Sequence, residues 1–215
     1  STRIAGLDCV TLIGKNASEM VPDLQELIAD ANCDVDVKIA AIRAIGLLGP
    51  SARASVPTLI QSLTDSNNHV REITVSTLSR FLPFNEKDLP TFTGLLSHKE
   101  AKIREFAIRS VADMKASADE IYKLIQPMYQ DKAPEVRAVA VRSSIGIAKN
   151  YKEKVINDIF KLSNDENDEV RNSVEEIMAK LAPYSAKELE PFLQYLGPQS
   201  EARLRNQTIK LIASS

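Results

Sequence analysis

Tryptophan is absent from the 215 residues, and aromatic side chains make up only 5% of them. Branched aliphatics and alanine must therefore fill any core, which suits helices packed closely together. The two cysteines, Cys9 and Cys33, lie far apart without metal-ligand spacing. They read as reduced thiols of a cytoplasmic protein, Cys9 in a small core slot and Cys33 in a turn. A surplus of one charge is missing too: 27 basic side chains against 29 acidic ones give −2. The total thus exerts no pull toward nucleic acid or an anionic membrane, and any electrostatic role must come from how the charges are segregated. No apolar run approaches the ~18 residues of a membrane-spanning helix, and the N-terminus carries no secretory h-region. A Gly-rich phosphate loop, a Ser/His/Asp or Cys/His constellation and a Cys–Cys pair are all lacking. The sequence therefore identifies no reaction and calls for no cofactor.

What the chain does have is a period. An apolar–basic pair recurs at Thr2-Arg3, Val37-Lys38, Val70-Arg71, Ile103-Arg104, Val136-Arg137, Val170-Arg171 and Leu204-Arg205, in steps of 35, 33, 33, 33, 34 and 34 residues. Fourteen residues before the basic anchor stand Pro57, Pro90 and Pro191, with Pro22 displaced by two. Such a register is the mark of a repeat architecture. After each anchor pair the apolar residues fall at offsets 0, 3, 4, 7, 8 and 11 from its first residue, one broad helical stripe. A second apolar line runs at offset 5 through Ile42, Val75, Ile108, Val141 and Ile209. Glu175 breaks that line, which predicts a looser, wetter contact there. The preceding helix of each unit has its own stripe, such as Val56, Leu59, Ile60 and Leu63.

Each unit is therefore a helical hairpin whose two apolar faces are buried only by stacking on its neighbours. The prolines lie in or near the start of the first helices, where they are expected to bend them, and Pro127 predicts a late kink. The turns within the hairpins are polar, with Asp and Asn placed to cap the helix that follows. No stretch reads as a linker, so the chain is expected to form one continuous domain over residues 1–215.

The run Ile45-Gly46-Leu47-Leu48-Gly49-Pro50 through Val56-Pro57-Thr58-Leu59-Ile60 and Asp65 to Val70-Arg71 resembles the HEAT repeat. The resemblance extends over essentially the whole chain and is closest in the second and third units. It implies an all-α fold, a right-handed α-solenoid of one N-terminal helix plus six helix pairs, with the second helices lining the concave side. It also implies a non-catalytic scaffold that binds a protein segment. The first unit starts at its second helix without a polar outer face, so the chain reads as a segment of a longer array. Gln207 and Thr208, in positions held elsewhere by alanine or valine, suggest a polar cap at the other end.

Two sets of basic residues deserve separate readings. The anchors Lys38, Arg71, Arg104, Arg137, Arg171 and Arg205 invite a phosphate-binding role, but each falls in the first turn of a helix, where the dipole disfavours a cation. Acids stand six residues earlier at Asp65, Asp131 and Asp165. In HEAT proteins such pairs form a ladder between turns, which implies exposed structural pairs worth about 0–1 kcal/mol each.

The second set lies at offset 6, pointing away from both apolar lines: Arg43, Arg109, Arg142 and Lys210, with Ser76 and Glu176 in the same row. One turn on, offset 10 adds Arg80 and Lys180, against Asp113. Helices in contact stand ~8–10 Å apart, so Arg109 and Arg142 are expected to share one groove. These six cations are the candidate partner-binding residues, for a protein or peptide with acidic residues. Glu105 can pair with Arg109, and Glu176 can reach Arg142, which would make the row a solvated face. The alternatives are a nucleic-acid backbone held on the same stripe and a tubulin-binding domain of the TOG type. TOG domains use a tryptophan and basic turn residues, whereas these turns are Asp/Asn-rich. The di-iron hydroxylases of this fold need several His-Glu pairs, and only His69 and His98 are present. Repair glycosylases of this fold need a strongly basic aromatic face, and the five tyrosines fall mostly on first helices. The run Asp165 to Glu169 lacks the glycine that a calcium loop requires at its sixth position.

Overall fold

The computed structural model describes residues 19–215. The expected N-terminal helix with its Thr2-Arg3 anchor, and Cys9, lie outside the described residues. Every regular element among the described residues is helical, and these residues divide into two compact units, 19–83 and 84–215. No helix among them is long and apolar enough to cross a membrane.

In the first unit α1 (Val21–Ala29) pairs with α2 (Val35–Leu48), and α3 (Val56–Ser62) with α4 (Asn68–Leu78). Each second helix starts on a side-chain cap. Asp34 accepts from the N–H groups of Asp36 and Val37, and Asn67 from those of His69 and Val70, satisfying donors that have no partner within the helix. The two apolar lines expected of α2 are both buried: Ala41, Ile42, Ala44 and Ile45 have no accessible surface. Gly46 explains how close the next helix comes, since a Cβ there would stand 3.1 Å from the Thr77 methyl on α4. Gly49 ends α2 at φ 57° and ψ −135°, backbone that side-chain-bearing residues avoid.

Pro22 and Pro57 sit in the first turns of α1 and α3. There the missing N–H would have had no helical partner, so these prolines start helices rather than bend them, contrary to the sequence expectation. The bend before α3 comes from a 3-10 segment, Gly49–Ser55.

The second unit contains α5 (Leu89–Leu95), α6 (Ala101–Ala112), α7 (Ala118–Ile125), α8 (Pro134–Phe160), α9 (Asp168–Leu181), α10 (Ala186–Leu189) and α11 (Ala202–Ala213). Pro90 again occupies a first turn, that of α5. The late kink predicted at Pro127 is present: α7 passes into a 3-10 turn over Gln126–Gln130. Helix α8 is two helices end to end, broken at Tyr151, whose φ of −131° and ψ of 32° are not helical. Its first part completes one hairpin and its second part opens the next. Ala107 on α6 and Ala140 on α8 are fully buried, as close helix packing demands.

At α11 the two residues expected in a polar cap turn inward. Gln207 and Thr208 are buried, the threonine hydroxyl donating to the Leu204 carbonyl at 2.9 Å. The apolar side chains left open are Ile209 and Ile212, beside the exposed Arg203, Asn206 and Lys210. A residue's place in the period, not its polarity, set which face turned inward.

Candidate functional site

The basic anchors resolve first. Arg104 on α6 holds Asp131 with two parallel bonds of 2.7 and 2.6 Å, and Arg137 on α8 holds Asp165 with two of 2.8 and 2.7 Å. Lys38 on α2 reaches Asp65 at 3.0 Å. Each rung thus joins a helix to the turn of the following hairpin. The same cation ties down its own turn: Arg104 donates to the carbonyls of His98 and Lys99, Arg137 to those of Asp131 and Lys132, and Arg171 to those of Asp165 and Glu166. Each aspartate also accepts from a backbone N–H two residues on, at Asn67, Ala133 and Asn167.

The ladder reading of these anchors therefore holds, but the pairs are not exposed. In the Arg104–Asp131 rung the side chains are 5% and 8% exposed. Burial pushes the carboxyls of Asp65, Asp131 and Asp165 up, yet the hydrogen bonds and cations around them outweigh it and hold all three below the usual 3.8. A cation so enclosed is not available to a phosphate.

The six candidate binding cations fall in both units and differ in their partners. In the first unit Arg43 is exposed and makes no ion pair among the described residues, while Arg80 is exposed and reaches only the Gly46 carbonyl, at 3.5 Å. In the second unit Lys180 pairs with Glu176 at 2.6 Å, and Lys210 pairs with Glu175 at 3.0 Å across α9 and α11. Arg109 and Arg142 are the two that meet. They border one surface cavity of about 320 Å³ between α6 and α8, together with Asp113, Val139 and Ile145.

The electrostatics of that cavity are mixed. Arg109 lies 3.5 Å from Glu105 within α6. Arg142 finds its partners on α9 rather than on its own helix, Ser173 Oγ at 2.7 Å and Glu169 at 3.2 Å, and not the Glu176 expected from spacing. Burial pushes the Glu105 carboxyl above its ordinary value; Arg109 opposes the rise, and Glu135 and Glu169 add to it. Both arginines keep exposed guanidinium surface: their side chains are 60% and 35% open.

Sequence reasoning overlooked Ile145, which stands in the cavity wall and is 39% exposed. A signal was present. At its offset the other units carry Gly46, Ser79, Ala112, Ala179 and Ala213, so a large apolar residue there is an exception to the period.

No group of three or more metal-ligating side chains occurs among the described residues. His98 instead accepts from the Glu100 N–H through Nδ1, and His69 lies 3.7 Å from Glu72. Tyr129 is buried against Ser144, and burial pushes its hydroxyl up to about 12. Tyr122 and Tyr151 stack on each other with ring centres 5.5 Å apart, their hydroxyls bonded to Asp158 and Asp119.

Comparison with known proteins bears on the fold. Residues 21–98 match the family profile of HEAT repeats. No curated protein matches the chain. Among solved structures, an engineered protein aligns with a TM-score of 0.53 and 15% identity over 89% of this chain and 96% of its own. A designed armadillo repeat protein in complex with the peptide (KR)4 aligns with a TM-score of 0.56 and 13% identity, over 90% of this chain and 98% of its own. Kap121p bound to Ste12p aligns with a TM-score of 0.58 and 16% identity over 94% of this chain, which matches only 24% of Kap121p. At these identities the likeness concerns the fold, that of helical-repeat solenoids.

Proposed function

We propose that this chain, a member of the HEAT-repeat family, is a non-catalytic scaffold that holds a segment of a partner protein on its second helices. The acidic residues of that segment meet Arg109 and Arg142. The observation that carries this reading is the cavity between α6 and α8, where two partly open arginines stand beside the apolar surface of Val139 and the exposed Ile145. Convergent polar groups over an apolar floor fit a peptide side chain and its neighbours better than they fit a uniform polyanion. Carboxylates already pair with Arg109, Arg142, Lys180 and Lys210. A nucleic-acid backbone would have to displace those pairs and would face Glu105, Glu135 and Glu169. The designed repeat protein that holds a peptide, and Kap121p with Ste12p, are instances of related folds bound to polypeptide.

The test is Arg109→Glu together with Arg142→Glu, both at exposed or half-exposed positions. A labelled peptide alternating glutamate and leucine should bind the parent protein and lose at least about tenfold in affinity on the double variant, with circular dichroism unchanged. Unaltered binding sinks the assignment. Titration with single- and double-stranded oligonucleotides at two salt concentrations distinguishes the nucleic-acid alternative, which requires a steep loss of affinity as salt rises.

A further inference from the structure

Two departures from the repeat register meet in one cavity, and a third leaves one of its cations without a rung. Two residues before the rung position, the turns put a large buried side chain: Leu63, Leu96 and Tyr129. In the turn before α9 that position is Ser163. It is 7% exposed, and its hydroxyl has no hydrogen-bond partner. On the second apolar line, where Ile42, Ile108 and Val141 are fully buried, α9 carries Glu175.

The rung itself is the third departure. Asp65, Asp131 and Asp165 each stand six residues before a basic anchor; His98 takes that place before Arg104, and Gln199, exposed at the surface, takes it before Arg205. Arg171 consequently receives no carboxylate from the turn that follows it. It pairs with Asp168 on its own helix, a side chain that is mostly in solvent.

The result is a cavity of about 460 Å³ between α9 and α11. One buried hydroxyl lines it without a hydrogen-bond partner among the described residues, that of Ser163, and the side chain of Gln207, 5% exposed, lines it too. Leaving buried polar groups unpaired is unfavourable, so the arrangement favours a ligand that supplies partners. The charges lining the cavity point the same way. Asp168 is matched by Arg171 and Glu175 by Lys210, which leaves Arg203 with no ion pair among the described residues. Its outer wall is Ile209, 52% exposed.

We propose that this gap binds the carboxylate of an aspartate or glutamate side chain on a peptide partner, which takes the place of the missing rung. Arg171 and Arg203 supply the cations, Ser163 and Gln207 the hydrogen bonds, and Ile209 an apolar wall for the adjoining residue. A single carboxylate is favoured over a more highly charged anion because Asp168 and Glu175 share the same lining. A residue of a peptide is favoured over a free acid because the cavity far exceeds a carboxylate group. The site is separate from the Arg109–Arg142 cavity, and neither assignment depends on the other.

The test is a set of ¹H–¹⁵N spectra of the full chain titrated with three probes: N-acetyl-aspartate methylamide, its asparagine counterpart and acetate. The aspartate probe should move the Gln207 side-chain amide and backbone signals of α9 and α11, at concentrations about tenfold below those the asparagine probe needs. Arg203→Ala, at an exposed position that cannot threaten the fold, should weaken the response about tenfold. Gln199→Asp, which supplies the rung from within the chain, should abolish it. Equal response to the aspartate and asparagine probes overturns the proposal, as does an unchanged aspartate response in either variant. Acetate acting as strongly as the aspartate probe overturns the assignment to a peptide. The Arg109→Glu, Arg142→Glu variant should respond like the parent, so failure of one site is read independently of the other.

Discussion

Ala107 at offset 4 and Ser76 at offset 6 lie only two positions apart in the period, and their surroundings could hardly differ more. Ala107 has no accessible surface and packs where helices come closest, whereas Ser76 is exposed. Ala107→Leu forces extra volume into a filled contact and should cost about 1–3 kcal/mol. Ser76→Leu should change stability by less than about 0.5 kcal/mol. Urea denaturation of the two variants checks this, and equal effects would mean that the offsets do not report burial. The alanine was legible as a core residue because the period repeats it. Ile145 was not, because its exposure depends on what stands across the cavity from it.

At the scale of the element, the unit that matters is the rung. A buried arginine and aspartate attract strongly but gain little over an apolar pair, because both were taken out of water. Removing one partner is another matter. Asp131→Ala leaves the Arg104 guanidinium buried and unpaired and should cost about 3–5 kcal/mol. The double replacement Arg104→Met, Asp131→Leu should recover much of that loss, measured as the midpoint of chemical denaturation. A single variant with no cost would show that solvent reaches the pair after all. The spacing of six residues marked the acids in the sequence, but each pairs with the anchor of the preceding hairpin, 27 or 28 residues back, rather than with the anchor that follows it. The burial was not readable, since an arginine in the first turn of a helix looks exposed until the next turn closes over it.

Across the whole molecule the rungs act together on its response to acid. Asp65, Asp131 and Asp165 all hold their carboxyls below the usual 3.8 in the folded chain. A depressed carboxyl binds its proton more readily when the chain is unfolded, so protonation favours unfolding. The stability these groups contribute is therefore fully present above about pH 4, the unfolded value, and is lost as pH falls below it through their lowered folded values. Thermal midpoints should stay level from pH 7 to about 5 and fall steeply below 4. The Asp131→Asn, Asp165→Asn variant should start lower and fall less. A parallel acid limb in parent and variant would remove the rungs as its cause.

The sequence by itself determined the helical hairpins and the acids and bases of the inter-turn ladder, though not which pairs with which. Those follow from a period repeated along the chain, and a period survives without coordinates because it depends only on which side of a helix each residue occupies. Only the tertiary structure decided which of the candidate cations stand together. Arg109 and Arg142 share a cavity, Lys180 and Lys210 are matched by Glu176 and Glu175, and Arg142 turns to Glu169 on another helix. The same holds for the gap between α9 and α11. Ser163 and Glu175 are unremarkable substitutions when read one at a time, and they become a site because separate stretches of chain bring them to one space with Arg203. Such convergence is a matter of distances between helices, which a linear pattern does not contain.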